Sequence, residues 1–324
     1  KGGQWTRIKA NLQTMPIYEI KQHPRDNDLI LASHARGIGI LDDPMPIQEW
    51  AKSESAEAYF FNTEAATIMN QANDQMKGFE GDRIFLGWNP APGATLAYRL
   101  KADAKDVKIT IKDASGSTVR ELAGADLRDR NKAGLNIAKW DLRIQPLRPP
   151  PPPPGQQPGP GGGGGGGGFG GGGNNGPYVL PGTYKATLNV NGRDVQTIDV
   201  AVKGDPEIQI TDTDRRLWFD TARDLHQQQQ KANEVAEMVQ NAYAQVQLIQ
   251  QQTRNANLAA GAKQQLDAVV TEFEAVRRRL GLGGQGGGGG FGNNENLRGR
   301  FGQLKGQIMG STAVPTNTQL MQIR

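Results

Sequence analysis

The chain has 324 residues, which is room for about two domains of ~100–200 residues each. It contains no cysteine, so disulfides, a thiolate nucleophile and a cysteine-ligated zinc site are excluded. Its 37 basic and 33 acidic side chains are well mixed and leave a net charge of +4, which argues against nucleic acid as a partner. No run of about 18 apolar residues occurs, so the sequence predicts no membrane span.

The first part of the chain reads as short strands joined by tight turns. We predict four strands, at 5–8, 17–23, 28–33 and 38–41. The third of them is a largely apolar run and is expected to be buried. Asp42 and Asp43 follow the last strand, and Pro44 and Pro46 then end the ladder, because proline has no N–H to donate to a neighbouring strand.

A motif at the start of the chain connects these strands with a known architecture. Gly2 and Trp5 match the second half of an Asp-box, Ser-x-Asp-x-Gly-x-x-Trp, the turn that closes blades of many β-propellers. Together with the segment IYEIKQHPRDNDLILASHARGIGILDD, they resemble the last blade of BNR-repeat, sortilin (VPS10)-like propeller proteins, whose bacterial members are often labelled glycosyl hydrolases or sialidase-like. The resemblance implies that residues 1–48 are the last strands of a β-propeller. It also implies that its other blades, upstream of Lys1, are partners of this sheet.

A second β-rich part is predicted after a connector of mixed character at 49–82. Its strands are expected at 94–101, 107–112, 118–122, 135–142, 182–190 and 195–202. Hairpin turns are predicted at 113–116 and at 191–192, where Asn-Gly is typical of a two-residue turn. The segments DASGSTVREL, AGLNIAKWDLR and LPGTYKATLNVNG resemble the immunoglobulin-like domain that follows the propeller in this family. The resemblance implies an Ig-like β-sandwich over 83–204, with Trp140 as its core aromatic residue.

A proline run followed by a glycine tract interrupts this second part at 149–176. Proline-rich segments can dock on SH3-type domains, but no basic residue lies within the run to orient one. Glycines have no side chains to bury. We therefore interpret the segment as a loop insertion.

The remaining residues, 205–324, carry helical periodicity. We predict helices at 213–255, 260–280 and 295–309, with a Gly-rich linker at 281–292. Thr213 or Asp214 is expected to cap the first helix. Its core stripe is expected to comprise Leu225, Ala232, Val235, Val239, Ala242, Val246 and Ile249, with the glutamines on polar faces.

Chemistry-bearing residues are few. His226 stands beside a glutamine run and is expected to face solvent, whereas His34, Asp42 and Asp43 are weak candidates for a metal or acid/base cluster. We favour a turn and strand-end role for these three residues, because histidine and paired carboxylates are common at turns. The sequence thus indicates no catalytic residue, no cofactor and no metal site.

Two functions remain open. The first is a non-catalytic structural and binding scaffold for protein or glycan partners, in an exported protein that is secreted, periplasmic or on the cell surface, as the resemblance implies. The alternative is the C-terminal part of an exported glycoside hydrolase whose active site lies on upstream blades. Glycoside hydrolysis needs two carboxylates that face each other across a sugar, whereas neighbours such as Asp42 and Asp43 point to opposite faces of a strand. We also expect the edges of the first sheet to aggregate, and a chain that starts near Asp82 to be more soluble.

Overall fold

The computed structural model describes residue 3 and residues 15–69, 92–148, 173–253, 259–282, 297–311 and 313–323. Within them the chain combines several β-sheets with helices, and it divides into two compact units. The first comprises the described residues of Lys1–Thr67, Ala91–Asp141 and Pro181–Lys203, and the second those of Ile68–Pro90, Leu142–Leu180 and Gly204–Arg324.

Some of the predicted features lie outside the described residues. They are Gly2 and Trp5 of the Asp-box match, the strand at 5–8, residues 149–172 of the insertion and residues 283–292 of the Gly-rich linker.

The first unit begins with a three-stranded antiparallel sheet in chain order, which we name the β1–β3 sheet. Its strands are β1 (Ile17–Gln22), β2 (Leu29–Ser33) and β3 (Ile38–Leu41). The turn between β1 and β2 is closed by Asn27, which adopts a φ of 58° and donates its backbone N–H to the carbonyl of His23. The strand predicted at 28–33 corresponds to β2. The expectation that it is buried is wrong, since all five residues of β2 are only half-buried. An apolar run is buried only where another layer covers the sheet, and the neighbouring Ile20 and Ile40 are 62% and 63% exposed.

Two short helices and two short strands follow β3, and all of them except α1 lie in the predicted connector at 49–82. They are α1 (Met45–Gln48), α2 (Trp50–Ser53), β4 (Ala58–Phe60) and β5 (Ala66–Thr67). Between the helices, the buried carboxylate of Glu49 accepts hydrogen bonds from the backbone and side-chain amides of Asn62 at 3.0 and 2.8 Å. This contact ties the residue before α2 to the segment that follows β4, so the described residues 49–67 are an ordered part of the unit.

Two further sheets contain the core of the first unit. Their remaining strands are β6 (Ala94–Leu100), β7 (Val107–Lys112), β8 (Thr118–Leu122), β9 (Gly134–Trp140), β10 (Gly182–Val190) and β11 (Arg193–Lys203). One sheet has the order β4-β6-β9 and the other the order β5-β11-β10-β7-β8, in which β5 pairs parallel to β11. The fully buried Trp140 of the first sheet meets Tyr184 of the second edge to face, with ring centroids 5.2 Å apart. The two sheets therefore share one apolar core.

Both predicted hairpin turns are confirmed. Asn191 and Gly192 have φ values of 52° and 82°, as a two-residue turn between β10 and β11 requires. The other turn joins β7 to β8, and there the Asp113 carboxylate accepts the backbone N–H groups of Ser115 and Ser117 at 2.9 and 3.0 Å.

The second unit is mainly helical. Its helices are α3 (Asp212–Thr253), α4 (Ala260–Arg279), α5 (Leu297–Met309) and α6 (Asn317–Ile323). Ala222 and Leu225 of α3 form an apolar cluster with Ile308 and Met309 of α5. The Nε1–H of Trp218 donates to the carbonyl of Ile308 at 2.8 Å, which fixes the two helices at this level.

The cap of the first helix lies two residues before Thr213 and three before Asp214, the two expected positions. Thr211 Oγ1 accepts the backbone N–H of Asp214 at 3.1 Å and donates to the Asp214 carboxylate at 2.7 Å. The cap is therefore Thr211, and neither Thr213 nor Asp214 holds that position. Both threonines are polar residues ahead of the same apolar run, so the sequence alone does not separate them.

The buried stripe of α3 also differs from the predicted one. Val235 and Ile249 are 44% and 49% exposed. The buried residues of the helix are Ala222, Leu225, His226, Gln229, Asn233, Ala236, Gln240 and Tyr243. Both stripes keep three- and four-residue steps, and the polar one is buried because other parts of the unit supply partners, such as the Arg298 guanidinium that donates to the Asn233 side chain at 2.9 Å.

The two ends of the proline- and glycine-rich insertion run antiparallel to each other in the second unit. Backbone N–H groups of Ile144, Leu147 and Val179 donate to the carbonyls of Pro177, Asn174 and Leu142, at 2.8 to 3.0 Å. Between these bonds the guanidinium carbon of Arg143 lies 3.7 Å from the centroid of the Tyr178 ring. The described residues that flank the insertion thus form a fixed stem.

Candidate functional site

The β1–β3 sheet exposes large apolar side chains on both of its faces. Ile20 pairs with Leu31, whereas Ile40 pairs with Ile30. Because paired residues share a face and successive residues alternate, Ile20 and Ile40 lie on opposite faces. Ile38, on the same face as Ile40, is 73% exposed. Single exposed apolar residues are ordinary, but here they are concentrated on both faces of one small sheet.

His34 lies in the turn between β2 and β3 and is exposed. Its ring lies 5.3 Å from that of Tyr18, at an interplanar angle of 38°. Tyr18 is itself 72% exposed. This contact belongs to the surface of the sheet and gives His34 no acid partner.

Asp42 and Asp43 take different roles at the end of β3. Asp42 is exposed, whereas Asp43 is half-buried with a φ of 52°, and its backbone N–H donates to the Asp28 carboxylate at 3.3 Å. Burial raises the pKa of Asp43, and the charge of Asp28 adds to the increase. Burial also raises the pKa of Glu64, with the charges of Asp43 and Asp28 contributing.

These acidic residues form no metal site together with His34. In the described part of the chain, no three His, Asp or Glu side chains are placed so that they could hold a metal ion. The sequence did not single out Glu64, because it lies in the predicted connector and becomes a neighbour of Asp43 only through the fold. At this strand end the side chain that accepts a backbone N–H in the bond between Asp43 and Asp28 is that of Asp28.

The most perturbed ionisable groups lie in the second unit. The Lys305 amine of α5 is fully buried and lies 3.0 Å from the carbonyl of Gly173 and 3.1 Å from Nδ1 of His226. His226 Nε2 lies 2.9 Å from the carbonyl of Gln145, which identifies Nε2 as the protonated ring nitrogen. The expectation that His226 faces solvent is wrong: the residue is 5% exposed. Its neighbours along the chain are glutamines, but the fold places a lysine 79 residues away beside it.

Burial shifts both titrations towards the neutral forms. It lowers the pKa of His226 to about 4, with the charge of Lys305 contributing, and lowers the pKa of Lys305 to about 7, with the charge of Arg143 contributing. A neutral lysine amine can act as a nucleophile, but a fully buried one meets no substrate. Gln229 also donates to the Gly173 carbonyl, at 3.1 Å, so these side chains hold the stem of the insertion against α3 and α5.

The sequence gives no sign that Lys305 is buried, because a lysine on a helix normally faces solvent.

None of the helices in the described ranges combines the length and the hydropathy that crossing a bilayer requires. In comparisons with known proteins, the chain matches no family model and no curated sequence.

Proposed function

We propose that the chain is a non-catalytic structural and binding region of an exported, sortilin-like protein, and that its β1–β3 sheet is the last blade of a β-propeller. The observation that carries the proposal is the exposure of large apolar side chains on both faces of this sheet, Ile20 on one and Ile38 and Ile40 on the other. Blades of a propeller stand side by side around an axis, so each blade is covered on two faces by its neighbours.

The two sheets that follow support an immunoglobulin-like domain. A fully buried tryptophan that packs against the facing sheet is a feature of such sandwiches, and Trp140 meets Tyr184 in this way. Hairpins join β7 to β8 and β10 to β11, as expected for antiparallel sandwich strands. The parallel pair of β5 with β11 is an addition at the edge of this pattern.

Binding is favoured over catalysis by the places where ionisable groups lie. Lys305, whose pKa is lowered to about 7, has no access to a substrate. Asp43, whose pKa is raised, follows the end of β3, and Glu64, whose pKa is also raised, is its neighbour in the fold. The extended apolar surface of the β1–β3 sheet is therefore the feature best suited to a partner, and protein or glycan ligands would be bound by the assembled propeller.

The blade hypothesis is tested by the self-association of the chain. When no neighbouring blade covers the sheet, the exposed apolar side chains on its two faces are expected to associate with other copies of the chain. Ile20→Lys and Ile40→Lys should therefore each reduce self-association measured by sedimentation, and the double variant should reduce it further. Met238→Lys is the matched control, because Met238 is also 62% exposed but lies on α3. If only one of the two isoleucine variants has an effect, or if Met238→Lys has the same effect, the two-sided blade is contradicted.

A shortened chain provides a second measurement. A start near Asp82, as expected from the sequence, would remove β4 and β5, which pair with β6 and β11. A start at Pro44 instead removes the β1–β3 sheet and keeps both strands. We expect the chain that starts at Pro44 to be monomeric and the thermal stability of its remaining sheets to be unchanged. If this shorter chain still self-associates, the surface responsible lies outside the β1–β3 sheet.

A further inference from the structure

A small apolar pocket lies in the second unit. Its volume is about 60 Å³. The apolar residues that line it include Ile68, Val179, Ile208, Ile210, Trp218 and Met309. Drug-sized ligands need several hundred Å³, whereas roughly 10–15 Å³ accommodates one water, so the pocket suits a group of about four heavy atoms, the size of a leucine side chain.

The walls of the pocket are held by contacts within the unit. Trp218 donates its Nε1–H to the carbonyl of Ile308 at 2.8 Å, and Met309 belongs to the apolar cluster of α3 and α5. On the other side, the backbone N–H of Val179 donates to the carbonyl of Leu142 at 2.8 Å. The cavity is thus pre-formed, which lowers the entropic cost of binding.

Two opposite charges line the same pocket without forming an ion pair with each other. Arg215 of α3 lies over Gly204, where a Cβ atom would come within 3.0 Å of its guanidinium. In the described part of the chain, this guanidinium has no hydrogen-bond acceptor and no carboxylate partner. Asp205 accepts the backbone N–H of Glu207 at 2.9 Å through one carboxylate oxygen, which orients the group and leaves its other oxygen without a donor among the described residues.

We propose that this pocket binds a free α-amino acid with an aliphatic side chain. Its carboxylate pairs with Arg215, its ammonium group pairs with Asp205, and its side chain enters the cavity beside Trp218. A zwitterion satisfies both charges, whereas a simple acid or a simple amine would leave one of them unpaired and face repulsion from the like charge. The site lies in the helical unit and is independent of the proposed role of the β1–β3 sheet.

Calorimetric titration of the full chain with four ligands tests the chemistry. L-leucine is expected to bind, and N-acetyl-L-leucine, which lacks the ammonium charge, and L-leucinamide, which lacks the carboxylate, should each bind roughly tenfold or more weakly. Glycine, which lacks the side chain, should show no saturable binding. Equal binding of leucine and either blocked derivative, or no binding of leucine at millimolar concentration, would overturn the proposal.

Charge variants assign the two contacts. Arg215→Gln should weaken leucine binding roughly tenfold without weakening leucinamide binding, because leucinamide has no carboxylate to pair with Arg215. Its control is Arg216→Gln, at the exposed neighbouring position of the same helix. Retained leucinamide binding also shows that the variant is folded. Equal effects of the two arginine variants on leucine would overturn the assignment of Arg215.

The ammonium contact has its own pair of variants. Asp205→Asn keeps an oxygen for the Glu207 N–H and removes the charge, so it should weaken leucine binding without weakening N-acetyl-L-leucine binding. Asp212→Asn, at an exposed position in the first turn of α3, is the matched control. A loss of N-acetyl-L-leucine binding equal to the loss for leucine would contradict a direct contact between Asp205 and the ammonium group.

Discussion

The Nζ atom of Lys305 lies 3.1 Å from Nδ1 of His226, and both residues are buried. The second acceptor of this amine is the carbonyl of Gly173, at 3.0 Å. A neutral amine has two N–H groups to donate, whereas an ammonium group has three, so the two acceptors that the described residues supply match the neutral form. Because Lys305 contacts both His226 and the Gly173 carbonyl of the stem, the protonation of these two side chains is coupled to the contact that anchors the stem of the insertion.

Acidification is expected to destabilise the second unit through His226. The pKa of this histidine falls from 6.5 to about 4 on folding. Between these pH values the unfolded chain binds a proton that the folded chain does not, so stability is lost as the pH falls through this window. The loss should be on the order of 1–3 kcal/mol, measured by urea unfolding between neutral and acidic pH.

His226→Gln isolates this contribution, because glutamine retains a donor and an acceptor but does not titrate. The variant should lose less stability than the wild type over the same pH window. His34→Gln, at an exposed histidine, is the control and should behave as the wild type. Parallel pH profiles for the wild type and His226→Gln would show that the histidine is not the cause.

Alkaline pH should have the opposite effect through Lys305. Its pKa is lowered from 10.5 to about 7 by burial, so between these values the unfolded chain again binds the extra proton. Stability should therefore rise as the pH increases from neutral towards 10, and Lys305→Met should flatten this rise. Lys263→Met, at an exposed position of α4, controls for the same substitution at a surface lysine. An unchanged slope in Lys305→Met would contradict the predicted role of this amine.

Local signals were sufficient for much of the first unit. The strands at 107–112, 118–122 and 182–190 were predicted with the observed bounds, since alternating apolar residues end there at turn residues with a defined conformation. Asn191 and Gly192 illustrate why: both adopt positive φ, and a turn of this kind depends on its own two residues.

Long-range contacts account for what the sequence did not reveal. β5 has two residues and exists only because β11 pairs with it, 136 positions from Ala66 to Val202 along the chain. The polar stripe of α3 is buried because Lys305, Arg298 and the Gly173 carbonyl provide partners for it. Hydrophobic periodicity contains no information about such partners, which is why His226 and the acidic neighbour Glu64 were not recognised.

Gly93 is predicted to be the glycine of the first unit least tolerant of a side chain. It adopts a φ of 124°, and a Cβ atom there would lie 2.1 Å from the backbone carbonyl oxygen of Trp140. Gly93→Ala combines an unfavourable backbone conformation with a clash against a β-strand, so we expect a cost of about 2–5 kcal/mol in urea unfolding. Gly116→Ala is the matched control, because Gly116 has a φ of 84° but open space around it, and should cost about 1–2 kcal/mol. Equal costs would show that the contact with Trp140 relaxes freely.

The start of α3 provides a test in which two threonines of the same helix end are compared. Thr211 satisfies the backbone N–H of Asp214 and bonds its carboxylate, whereas Thr213 lies exposed in the first turn. Thr211→Ala should lower the free energy of unfolding by about 1 kcal/mol, because it leaves an N–H at the helix end without its acceptor. Thr213→Ala should change stability by less than about 0.5 kcal/mol, as is usual for exposed positions. Thermal unfolding followed by circular dichroism at a helical wavelength measures both variants, and a larger loss in Thr213→Ala would place the cap at the position expected from the sequence.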